Sequence, residues 1–77
     1  MEQERRNRLE IIRNRLDDIL SDVKELLDEE EHYRDNLPEE LQESDEYEVA
    51  DAICDDLSDA MDALDDAVNS ILLAVTE

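Results

Sequence analysis

Apolar residues recur along the first half of the chain at alternating spacings of three and four: Leu9, Ile12, Leu16, Ile19, Val23 and Leu26, with Tyr33 continuing the series after one interruption at Glu30. That period lays a single stripe along an α-helix and has the form of a coiled-coil seam. A second series, Tyr47, Ala50, Cys54, Leu57, Met61, Leu64, Val68, Ile71 and Val75, runs without a break through the second half. Together they predict an all-α fold, an antiparallel two-helix hairpin in one domain over 1–77, with helices at about 3–34 and 46–76. Folding the helices back sets Tyr33 opposite Tyr47, Leu26 opposite Cys54, Ile19 opposite Met61 and Leu9 opposite Ile71. Every apolar seam position of the first helix then meets an apolar partner.

The hinge is expected at 35–45, where the chain has its only proline, Pro38, and its densest turn signals; there is no glycine anywhere. Pro38 cannot continue the first helix and restricts the residue before it, so the helix ends ahead of it. Asn36 with Glu39 has the spacing of a capping box for a short helical turn at 38–43. Ser44 or Asp45 can cap the second helix, Asp45 having Glu48 three residues on.

One seam does not cover all the apolar side chains. Leu20 and Leu27 flank the first stripe, and Ile53, Ala60, Ala67 and Ala74 flank the second. A chain of 77 residues with half its apolar surface uncovered sits near zero net stability, given roughly 1.5 kcal/mol of ordering entropy per residue. A homodimer completing a four-helix bundle is the expected remedy; the alternative, which the sequence does not separate from it, is a partner protein covering the same surface. The single cysteine, Cys54, closes no bridge within the chain and sits on the seam, where a small buried hydrophobe is its expected role.

Charge changes the picture more than composition does. Acidic residues number 26 against 7 basic, a formal net charge of -19, which disfavours direct binding to nucleic acid or to an anionic membrane. The longest apolar run, Ile71 to Val75, is too short for a membrane span, and the segment from Met1 to Arg6 lacks the apolar stretch of a signal peptide, so a cytoplasmic location is expected. All seven basic residues (Arg5, Arg6, Arg8, Arg13, Arg15, Lys24 and Arg34) precede a stretch from Asp35 to Glu77 that has none.

The second helix carries ten acids between Asp45 and Asp66, eight of them Asp, the poorer helix former. Like charges three or four residues apart occur there in eight pairs, and at ~0.2–0.5 kcal/mol each their repulsion amounts to roughly 2–4 kcal/mol. Ten acids over 22 residues at ~1.5 Å of rise give one charge per ~3.3 Å, close to the ~3.4 Å per phosphate of one DNA strand. The function expected from this is binding: Asp51, Asp55, Asp56, Asp59, Asp62, Asp65 and Asp66 contact the basic surface of a nucleic-acid-binding protein. The alternative is a structural or oligomerisation module whose acidic face is simply solvated. A mimic needs unpaired carboxylates, whereas a structural module should pair them with Arg5, Arg6, Arg8, Arg13 or Arg15 across an interface. The expected register sets those arginines beside residues 65–75 and leaves Asp51 to Asp62 unpaired within the chain.

Catalytic and metal signatures are weak, and neither enzymatic activity nor a cofactor is expected. Glu29 and His32 have the Glu-x-x-His spacing of di-iron bundles, but both lie off the seam and no glutamate of the second helix sits on it. Glu39 to Glu43 followed by Glu48 to Asp51 resembles the paired acidic motifs of all-α nucleotide pyrophosphohydrolases, with a gap too short to place them on two helices of that fold. An EF-hand loop lacks its glycine, and no nucleophile stands beside a base.

Two segments, Glu4-Arg5-Arg6-Asn7-Arg8-Leu9-Glu10 and Tyr33-Arg34-Asp35-Asn36-Leu37-Pro38-Glu39-Glu40-Leu41-Gln42, about a quarter of the chain, resemble uncharacterised small acidic helical-hairpin proteins of phages and mobile elements of Firmicutes. In size and charge the chain is also similar to the anti-CRISPR and anti-restriction proteins such elements encode, some of which imitate DNA. That resemblance implies an inhibitor of a DNA- or RNA-binding enzyme and assigns no functional residue.

Overall fold

The computed structural model describes residues 2–77 and is a hairpin of two long helices, α1 (Gln3–Asp35) and α2 (Asp45–Thr76), joined by a single 3-10 turn at Glu39–Leu41. The molecule is a rod of 59 × 14 × 12 Å. Among the described residues no helix is long and apolar enough to cross a membrane.

The hinge turns with ordinary backbone angles. None of the described residues has a positive φ, so the chain reverses without the left-handed residue that often ends a helix. Asn36 closes α1 instead: its backbone N–H and its side-chain amide both donate to the carbonyl of His32, at 3.0 and 2.7 Å. Pro38 then starts the 3-10 turn in an extended conformation (φ -54°, ψ 149°), and the Gln42 side-chain amide donates to the Leu37 carbonyl at 2.6 Å. No capping box forms between Asn36 and Glu39, because the Asn36 side chain is already committed to α1. Ser44 occupies the N-cap of α2 without a side-chain cap; its hydroxyl donates back to the Leu41 carbonyl at 2.5 Å, tying the turn together rather than the helix start.

The packed face of α2 is the expected one. Ala50, Cys54 and Val75 are buried, and Tyr47, Leu57, Met61, Leu64, Val68 and Ile71 are half-buried. On α1 the face differs. Leu27 is buried, Leu9, Leu16, Leu20 and Val23 are half-buried, and Arg6, Arg13, Glu30 and Arg34 complete the row at the same three-and-four spacing. Ile12, Ile19, Leu26 and Tyr33, which the sequence pattern assigns to the seam, are 42%, 47%, 56% and 51% exposed. α1 is therefore turned by about 50°, half of one residue's angle, from the expected pairing: Leu9, Leu16 and Val23 stay on the seam, Leu20, not Ile19, borders Met61, and Leu27 takes the covered place expected for Leu26.

The reason lies in the arginines. The series 6, 13, 20, 27 and 34 reads as interrupted because three of its five members are Arg. An arginine can lay its methylene stem along an apolar seam while its head reaches outward, so Arg6, Arg13 and Arg34 serve as seam residues. The Nε atoms of Arg6 and Arg13 are buried without a hydrogen-bond partner among the described residues.

Candidate functional site

The aspartates of α2 form a band on the side of the helix turned away from the seam. With 100° between successive residues, Glu48, Asp51, Asp55, Asp59, Asp62 and Asp66 follow one another as a ridge, with Asp56 and Asp65 to either side, and the band spans about half the helix circumference. Asp55, Asp56, Asp59, Asp62, Asp65 and Asp66 are all exposed. None has a cation within 4.0 Å among the described residues, where the ion pairs are Arg5 with Glu2, Arg34 with Asp35 and Arg34 with Asp51.

Asp51 departs from the expected set. It is half-buried, and its carboxylate accepts a hydrogen bond from Nη1 of Arg34 at 2.9 Å. Arg34 also donates from Nε to Asp35 at 3.0 Å, and these contacts, the Asp35 bond first, hold the guanidinium above its ordinary pKa. Asp51 is thus a strut between the helices near the hinge, which corrects its assignment as an unpaired acid. The signal was available, since Arg34 is the only cation near the hinge and must come down beside the first turns of α2.

The carboxylates do not stand in single file. The spacing of ~3.3 Å counts every acid around the helix; a partner touching the ridge alone meets about one carboxylate per turn, or one per ~5.4 Å. What α2 offers is a broad acidic surface, with two equally dense clusters at Asp55, Asp56 and Asp59 and at Asp62, Asp65 and Asp66. Besides Arg34 at Asp51, Lys24 borders it, sharing a shallow furrow with Leu20, Ser21, Met61, Asp62 and Asp65 beyond ion-pair distance.

Cys54 is 4% exposed, and burial raises its thiol pKa, with Arg34 opposing that shift and Glu31, Glu30 and Asp51 adding to it. A buried thiol held protonated is a poor nucleophile and a poor metal ligand. Among the described residues no three His, Cys, Asp or Glu side chains gather as metal ligands.

A second surface lies on another side of the hairpin. Tyr33 of α1 shares an open groove with Val49, Ala50 and Ile53 of α2, rimmed by Glu30, Asp45 and Glu46. Val49 is 59% exposed and was not among the expected flanking residues. Near the chain termini α1 carries a basic counterpart, with Arg5 and Arg8 beside Leu9 and Ile12, and Arg15 beside Ile11 and Ile12.

No protein-family model matches the chain, and no curated protein or solved structure matches it either.

Proposed function

We propose that the protein works by binding, presenting the acidic band of α2 to a basic surface that otherwise holds nucleic acid, and so acts as an inhibitor of a nucleic-acid-binding protein. The observation carrying this reading is that six aspartates from Asp55 to Asp66 are exposed with no cation paired to them among the described residues. Leaving those charges unpaired on one helix costs stability, and a helix that only had to be soluble avoids that cost by mixing Glu with Lys. The band belongs to a stiff rod, so little conformational entropy is lost when it docks. Similarity in size and charge to anti-CRISPR and anti-restriction proteins supports the same reading.

The second reading, a structural or oligomerisation module with a solvated acidic face, is favoured by the exposed apolar side chains on α1. The two separate in one experiment. Immobilised protein, incubated with a cell extract, should retain nucleic-acid-binding proteins that are released by moderate salt and by added DNA or RNA, because exposed charges supply the attraction. The variant Asp55→Asn/Asp59→Asn/Asp62→Asn should stay helical and lose that retention. Undiminished retention by this variant, or retention that nucleic acid does not displace, rejects the inhibitor and leaves the module.

A further inference from the structure

The side of the hairpin opposite Lys24 carries an apolar strip that neither helix covers. Tyr33 faces the groove with Val49 and Ile53, and steps of seven residues continue the strip down α1 through Leu26, Ile19 and Ile12, each more than two-fifths exposed. On α2 the same side continues from the exposed Ile53 through Ala60, Ala67 and Ala74, which the hairpin already half-buries, so it passes from bulky residues at the hinge to small ones at the far end. The charge at its rim changes as well: Glu30, Asp45 and Glu46 at the hinge, Arg5, Arg8 and Arg15 toward the termini.

We infer that this face closes on a second copy of the chain, with the hinge of one hairpin lying over the termini of the other, to make a four-helix bundle. A two-fold axis crossing the face between Ile19 and Leu26 lays α1 antiparallel to the partner's α1. It sets Ile12 against the partner's Tyr33, Ile19 against the partner's Leu26, and Arg15 against the partner's Glu30. Arg5 and Arg8 then lie over the partner's hinge, where Asp45 and Glu46 stand. Val49 and Ile53 fall against the small residues near the far end of the partner's α2. Stacking the copies with both hinges at one end instead brings Glu30, Asp45 and Glu46 onto themselves, and like charges in juxtaposition oppose that arrangement.

Size agrees with this occupant. A face 59 Å long and 14 Å wide offers on the order of 800 Å² per protomer, the area each partner contributes to a stable interface. Association through one self-complementary patch is the isologous arrangement of two-fold dimers. The acidic ridge through Asp55, Asp59, Asp62 and Asp66 lies on another side of α2 and stays outward in the bundle, with Asp56, seven residues after Val49, at the rim of the closed face, so the dimer holds whether or not that ridge engages a basic protein.

Sedimentation equilibrium of the full chain over a wide concentration range tests the assembly, with circular dichroism to follow helicity. The expected result is a dimer, and a monomeric but still helical Ile19→Glu/Leu26→Glu variant whose association is weakened about a hundredfold or more by carboxylates forced into an apolar contact. Both residues lie off the intrachain seam, so the hairpin itself should survive. Arg15→Glu should weaken association about tenfold, and adding Glu30→Arg should restore it, since the swap re-forms the pair in either copy. A wild-type chain monomeric throughout overturns the inference, as does a double glutamate variant that still dimerises. Failure of Glu30→Arg to rescue Arg15→Glu overturns the hinge-over-termini arrangement.

Discussion

The two helices are nearly equal in length, at 33 and 32 residues, yet they use their apolar residues differently. α2 gathers most of its large ones into one stripe, with Ala50, Cys54 and Val75 buried and Leu57, Met61, Leu64, Val68 and Ile71 half-buried beside them. α1 divides its own between two. Leu20 and Leu27 join Leu9, Leu16 and Val23 against α2, while Ile12, Ile19, Leu26 and Tyr33 stand exposed on the neighbouring side. The difference separates two kinds of work: α2 supplies a seam and, away from it, a charged surface, whereas α1 supplies a seam and an apolar edge that can take a second body.

Substitution at adjacent positions is the sharpest way to break that comparison. Leu27→Ala should destabilise the hairpin by ~2–5 kcal/mol, the usual cost of truncating a buried leucine, at every protein concentration. Leu26→Ala, one residue away and 56% exposed, should cost little in dilute solution and more as concentration rises and the face closes. Urea denaturation of both variants across a range of concentrations checks this. Equal losses in dilute solution would mean that α1 packs on the stripe through Leu26 after all.

Those two leucines also mark how far the fold was legible. The hairpin itself follows from two runs of three-and-four spacing, and the end of α1 from a proline that cannot continue it. Which flank of α1 meets α2 was not legible, because a pattern of apolar and polar letters counts Arg6, Arg13 and Arg34 as breaks and so prefers the stripe through Ile12, Ile19, Leu26 and Tyr33. An arginine stem is apolar matter along most of its length. α2 offered no such ambiguity, since its polar positions are mostly short aspartates that cannot cover a seam. Among the candidate site residues, Asp55 to Asp66 could be assigned to the outer side from spacing alone. Asp51 could not be placed from the spacing of the acids; its signal is Arg34, which lies near the hinge and comes down beside the first turns of α2.

A smaller effect should come from the acidic side of α2. The variant Asp55→Asn/Asp59→Asn/Asp62→Asn removes charge from six of the eight like-charged pairs counted along the helix, and should raise stability by about 1–3 kcal/mol. Added salt should raise the melting temperature of the wild-type chain and raise that of the variant less, since screening relieves the same repulsion. The Arg34–Asp51 bond works in the opposite direction and weakens in salt, but it is one partly exposed contact against many repulsions. A melting temperature that falls as salt is added would mean that attractive pairs dominate α2, and the picture of an unpaired acidic band would fail.

The smallest effect belongs to the stripe itself, through Cys54. Burial raises this thiol's pKa above its ordinary value of 9.0. Below that value both folded and unfolded chains keep the proton, and the cysteine adds no pH dependence. Above it the unfolded chain releases the proton while the folded chain holds it, so stability is lost progressively until the folded pKa is passed. Tyrosine and lysine titrate in the same alkaline range, so the informative quantity is the difference between the wild-type chain and Cys54→Ala. Cys54→Ala should melt lower at neutral pH, from lost packing, and the gap should narrow between about pH 8 and pH 10 as only the wild type feels the thiol's ionisation. Melting curves of both chains taken in parallel across that range read the gap directly. A gap that stays constant would mean that the Cys54 sulfur ionises as freely in the hairpin as in the unfolded chain, and that the seam near the hinge is open to water.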